Sequence, residues 1–213
     1  MKNLTDVIRD RRATQSFDGT PVPGHDLRQI LEAGLHAPSG YNMQPWRFVV
    51  VRAPEQKRKL RAASYNQPKV EEASVMIVAC GDMDGWRKDL DAMLEMGLAG
   101  GMPESYAAQA RTSVSNYMSS FTADQMKLWL TKQVMLAFTS MMLMAESLGY
   151  DTAPMEGFEQ DKVHEALRLP LSYWVVALLA VGHLKGADKF NGGRFDLNHT
   201  VFGEEYGKHL KLS

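Results

Sequence analysis

Thr122-Ala-Asp-Gln-Met-Lys-Leu-Trp-Leu-Thr-Lys-Gln-Val-Met-Leu-Ala-Phe-Thr-Ser-Met-Met-Leu-Met-Ala-Glu-Ser-Leu-Gly149 is the stretch on which the reading of the fold turns. Thr122 to Gln125 fits a capping box and Gly149 a C-terminal stop, which together predict one helix of about seven turns. Its second half, Val134 to Phe138 and Met141 to Ala145, is apolar all round, and such a helix is expected to be buried on every side. The methionines fit either a packed core or an adaptable apolar surface, and core packing is their commoner use. In a chain of 213 residues, a second subunit is the easiest source of the missing cover.

Outward from that helix, three apolar runs read as strands: Trp46 to Val51, Ser74 to Cys80, and Leu171 to Val181. The second is apolar throughout and so belongs in the middle of a sheet, covered on both faces. Helices are expected over 3–12, ending in the pair Arg11-Arg12, and over 26–35, where Leu27, Ile30, Leu31 and Leu35 share a face. Further helices are expected from Pro54 to about 63 and over 159–167. Residues 84–121 read as a helical excursion broken near Gly100-Gly101-Met-Pro103. Residues 151–158 read as a loop, and the tail from Lys185, with Lys189 and Arg194, as polar and glycine-rich. The expected class is α+β: one domain over 1–213, a central sheet covered by helices and dominated by one long core helix.

Composition narrows the function. The chain is 45% hydrophobic with a formal net charge of -1, which gives no general attraction to nucleic acid or an anionic membrane and points to a small-molecule partner. A lone cysteine, Cys80, allows no internal disulfide and no cysteine metal cluster. No signal core and no unbroken apolar run of about 20 residues is present, so the expected location is the cytoplasm. The six histidines lack metal-site spacing, and GxSxG, P-loop and GxGxxG patterns are missing. Any bound phosphate must therefore be held by separate basic residues. Residues 37–46, Ala-Pro-Ser-Gly-Tyr-Asn-Met-Gln-Pro-Trp, concentrate small hydrogen-bonding side chains between a helix and a strand. They fit a ligand-binding loop or an ordinary connector.

Four segments together resemble the nitroreductase family of flavin mononucleotide (FMN) enzymes, of the oxygen-insensitive nitroreductase and dihydropteridine reductase type. They are Arg11-Arg-Ala-Thr-Gln-Ser-Phe-Asp18, Ala37 to Trp46, Lys132-Gln-Val with the methionine helix, and Ala153-Pro-Met-Glu-Gly-Phe158. The resemblance implies a mostly antiparallel sheet and an interlocked, domain-swapped-type homodimer with FMN at the interface. It implies that Arg11, Arg12 and Arg194 hold the phosphate, and that Ala13 and Gln15 lie beside the cofactor. Pro38, Ser39, Asn42 and Gln44 would reach the flavin from the partner subunit. Asn66 and Lys69 would meet the pyrimidine edge, and Pro154, Met155, Glu156 and Gly157 would lie beside N5. Tyr41, Tyr117 and Phe121 are candidate walls of the substrate pocket, with core packing the alternative for Tyr117 and Phe121. Ala13 stands where relatives carry a serine, Gln15 where they carry a basic residue, and Gly192 where a lysine is common. The implied activity is transfer of hydride from NAD(P)H to flavin and on to a nitroaromatic, quinone or similar acceptor by a ping-pong cycle. The alternatives are a flavoenzyme for one metabolite, by dehalogenation, dehydrogenation or flavin breakdown, and a non-catalytic FMN-binding protein.

Overall fold

The computed structural model describes residues 2–187 and 192–212, so Lys189 lies outside the described residues. Its elements run α1 (Leu4–Asp10), α2 (Gly24–Leu35), β1 (Trp46–Val51), α3 (Pro54–Ala63), α4 (Lys69–Glu72), β2 (Val75–Asp82), α5 (Gly85–Lys88), α6 (Leu90–Ala99), α7 (Glu104–Ser119), α8 (Ala123–Ser147), β3 (Asp151–Met155), α9 (Gln160–Leu167), β4 (Tyr173–Gly182) and α10 (Leu197–Thr200). The four strands form one antiparallel sheet in the order β1-β2-β4-β3. The class is α+β, as expected.

Every residue of β2 is buried, as its unbroken apolar run requires of a central strand. One face of the sheet packs on α8 and α2, through Ile77, Leu179, Phe138 and Met141. The other packs on α3 and α9, through Met76, Leu178, Leu60 and Val163. A third cluster joins α6 and α7 to the N-terminal half of α8 through Leu94, Val114 and Leu130. The break expected near Gly100 is the joint between α6 and α7.

The loop expected over 151–158 is corrected: Asp151 to Met155 form β3, paired with Gly182 to Leu178 of β4. Pro154 lacks an N–H to donate, and an edge strand tolerates that. α1 stops at Asp10, leaving Arg11 and Arg12 outside it. Leu171, expected in a strand, is 98% exposed in the turn before β4. Within a single chain the second half of α8 is covered only in part. Val134, Ala137, Phe138, Met141 and Ala145 are wholly covered, yet Leu136 is 44% exposed. By length and hydropathy α8 could cross a membrane; here its apolar side is spent on α2 and the sheet.

Candidate functional site

Arg11 follows directly from the end of α1. Its backbone has left the helix (φ -54°, ψ 125°), while its N–H still donates to the Val7 carbonyl at 3.1 Å. The chain then runs beside the edge strand β3: Ala13 bridges to Thr152 in parallel, and the Thr14 N–H donates to the Thr152 carbonyl at 2.9 Å. This fixes the course of the backbone after Arg11, whose half-buried guanidinium has a buried Nη1 with no hydrogen-bond partner. Its pKa is lowered, first by burial and then by Arg194 and, less, by Arg12, with Glu146 acting in the opposite sense. A buried cationic donor without a partner is costly. The arrangement is therefore suited to an anion brought from outside.

Arg194 is exposed, with Nη1 donating to the Gly193 carbonyl at 2.6 Å. Arg12 points elsewhere, its Nη1 donating to the carbonyls of Arg9 and, at 2.8 Å, Arg11. It closes the C-terminal end of α1, where free carbonyls favour a cation.

Beside this corner, Lys69 Nζ donates to Gln15 Oε1 at 3.3 Å. Lys69 stands at the first position of α4. The preceding turn holds Tyr65 and Asn66 at φ 51° and 55°, pinned by Arg61, whose Nε donates to the Asn66 carbonyl and whose own carbonyl accepts from the Asn66 N–H. Gln67 reaches from this turn to the loop after β3, its Nε2 donating to the Gly157 carbonyl at 3.0 Å. A Cβ at Gly157 would lie 3.2 Å from Gln67 Nε2. Pro154 and Glu156 are exposed, but the Met155 side chain is buried in the core, leaving only its backbone to a ligand.

Pro38, Ser39, Asn42 and Gln44 form a second group. Tyr41, Asn42 and Gln44 adopt φ of 55°, 55° and 45°, a left-handed conformation that non-glycine residues hold only under constraint. Ser39 Oγ accepts from the Gln44 N–H at 3.0 Å, and the Gly40 N–H donates to Gln133 Oε1 of α8 at 2.8 Å. Tyr41 approaches Tyr117 of α7 (centroids 6.0 Å), and Tyr117 meets Phe121 edge-on at 4.8 Å. The three candidate wall residues thus form one aromatic cluster beside the strained loop. The bonds described here hold each group together internally.

Sequence reasoning assigned no role to Gln67 or Gln133. The signal for Gln133 is a polar amide inside an apolar helix. Gln67 carries no such signal in a polar loop.

This sheet, bearing a long core helix and a basic corner at its edge strand, is that of a known group of enzymes. The nitroreductase family model matches residues 8–183, and the chain belongs to the nitroreductase family. It is 36% identical over 173 residues to an NADH dehydrogenase of Thermus thermophilus, covering 81% of this chain and 82% of that protein. It is 30% identical over 193 residues to YdgI of Bacillus subtilis, named an NAD(P)H nitroreductase, covering 88% and 90%. Among solved structures, a nitroreductase-type protein of Exiguobacterium sibiricum in complex with FMN superposes with a TM-score of 0.87 at 28% identity, covering 96% of this chain and 98% of that one.

Proposed function

We propose that the protein is an FMN-dependent oxidoreductase that takes hydride from NAD(P)H and reduces a planar, electron-poor acceptor such as a nitroaromatic or quinone. The observation that carries the reading is the buried, unpartnered Nη1 of Arg11 within electrostatic range of Arg194. A phosphate monoester, carrying roughly two negative charges, relieves both the missing bond and the repulsion. The FMN-bound structure and the relatives' names support the same cofactor and donor.

When bound, FMN supplies the redox chemistry. Arg11 and Arg194 hold its phosphate, with the Ala13 backbone alongside. Arg12 acts by shaping the end of α1. Lys69, oriented by Gln15, and Asn66 stabilise negative charge at the pyrimidine edge. The Glu156–Gly157 backbone orients the N5 edge, preceded by Pro154 and Met155. Pro38, Ser39, Asn42 and Gln44 reach the flavin from a second copy of the chain in a homodimer. Tyr41, Tyr117 and Phe121 flank the space that donor and acceptor occupy in turn. The cytoplasm is the proposed location.

Anaerobic absorbance titration tests this. Bleaching of the flavin band near about 450 nm by NADH or NADPH, restored by a quinone or nitroaromatic, is expected. Bleaching restored only by one specific metabolite favours the narrower flavoenzyme. Bound FMN that neither nucleotide bleaches leaves a non-catalytic binder. A protein that takes up no FMN contradicts the reading.

A further inference from the structure

We propose that Gln67 is a positioning residue that joins the turn at the pyrimidine edge and the loop at N5 into one rigid unit, and so tunes the flavin. The inference rests on the assignment of those two segments under the proposed function. Its own basis is geometric. The loop after β3 is tied at two points, one to the end of α3 and one to the turn that follows it: the Glu159 N–H donates to the Ala63 carbonyl at 2.8 Å, and Gln67 Nε2 donates to the Gly157 carbonyl at 3.0 Å. The two ties, at Gly157 and Glu159, bracket Phe158.

Gln67 is itself held firmly. Its N–H donates to the Ser64 carbonyl at 3.1 Å, and it follows two residues kept left-handed by Arg61, which is anchored by Glu71 of α4 at 2.9 Å. The Gln67 amide and the Tyr65 ring fill the space a Cβ at Gly157 would need, at 3.2 and 3.7 Å. A Cβ at position 157 would make Gln67 Nε2 give way by a few tenths of an ångström, so the tie and the glycine are sterically coupled. A single side chain thus transmits the geometry of the Asn66 turn to the backbone beside N5. Donors fixed in advance tune a charge-accepting ring more than mobile ones do.

The test uses the FMN-loaded protein. Gln67→Leu keeps the bulk and removes the donor. The expected result is retained FMN with a melting temperature close to the parent, faster amide hydrogen exchange over 156–158, and a midpoint potential moved by about 30 mV, a tenfold change for a two-electron couple. Gly157→Ala should shift the potential in the Gln67 background and far less in Gln67→Leu, because the two positions share one contact. Unchanged exchange and potential in Gln67→Leu, with additive effects in the pair, would overturn the proposal. Arg11→Ala serves as the separate check: if it leaves FMN affinity intact, the flavin-site reading has failed independently of Gln67.

Discussion

Arg11 and Arg12 are adjacent and chemically identical, yet the fold gives them opposite tasks. Arg12 satisfies carbonyls at the end of α1, while Arg11 is left half-buried with an unpartnered nitrogen. Their presence as a basic pair is legible in the sequence. Which one stays free is not, because it depends on where α1 stops and how the chain then turns along β3. Arg11→Ala should weaken FMN binding about 10- to 100-fold, as expected for lost charge-assisted hydrogen bonds. Its flavin-free melting temperature should not fall, since a repelled, unpaired guanidinium has been removed. Arg12→Ala should behave in reverse, costing roughly 0.5–1 kcal/mol of stability with a much smaller loss of affinity. Fluorescence titration and thermal melts of both variants check the pair.

Tyr150 offers a second test at this scale. Burial, and then its hydrogen bond to Asp26 at 2.5 Å, push the phenol up to about 12. An unfolded chain releases that proton near pH 10, so the folded form binds more protons above that point. The contribution is complete below about pH 10 and is lost as the pH rises toward 12. Tyr150→Phe should therefore cost about 1 kcal/mol at pH 8 and show a shallower alkaline loss of stability, measured by melts from pH 8 to 11.

Among the elements, α8 was the most legible. Its capping box forms, with the Gln125 N–H donating to Thr122 Oγ1 and the Thr122 N–H to Gln125 Oε1. Within one chain the cover is incomplete at Leu136, because the sheet and α2 reach only part of the helix surface. β3 was illegible because it has no apolar alternation of its own and contains Pro154. Its strand character comes from pairing with β4, a long-range partner that local sequence cannot announce. The closeness of sheet and helix is likewise a tertiary fact. A Cβ at Gly81 of β2 would lie 2.8 Å from Leu130 Cβ of α8, which is not the flexible end of a side chain. Gly81→Ala should destabilise by about 1–3 kcal/mol through overpacking, and chemical denaturation would show it as a lower midpoint with an unchanged slope.

At the scale of the whole molecule, the resemblance in four separated segments reached the family and the α+β class, and the chain's other readings fit around it. Composition alone pointed only to a small-molecule partner. The resemblance already assigns the 38–44 loop to the partner subunit; what the sequence could not supply was the set of contacts that holds each of the two groups of candidate residues together. The first gathers Arg11, Gln15, Asn66, Lys69 and Gly157 around the edge strand. The second gathers the strained 38–44 loop with Tyr117 and Phe121. Under the proposed function a second copy of the chain joins them, and such a copy would have Leu136 and, on α1, Leu4 and Ile8 to cover, all three exposed in the single chain.

A mixed dimer tests that claim most directly. Chains carrying Arg11→Ala are co-assembled with chains carrying both Asn42→Ala and Gln44→Ala, and the hybrid is isolated by differential tags. If each flavin site takes its basic corner from one chain and its loop from the other, the hybrid has one intact site and one doubly damaged site. It should bind half an equivalent of FMN per chain with the affinity of the unsubstituted protein, although each variant homodimer binds weakly. Uniformly weak binding at both sites of the hybrid would contradict the shared site and place corner and loop within a single chain.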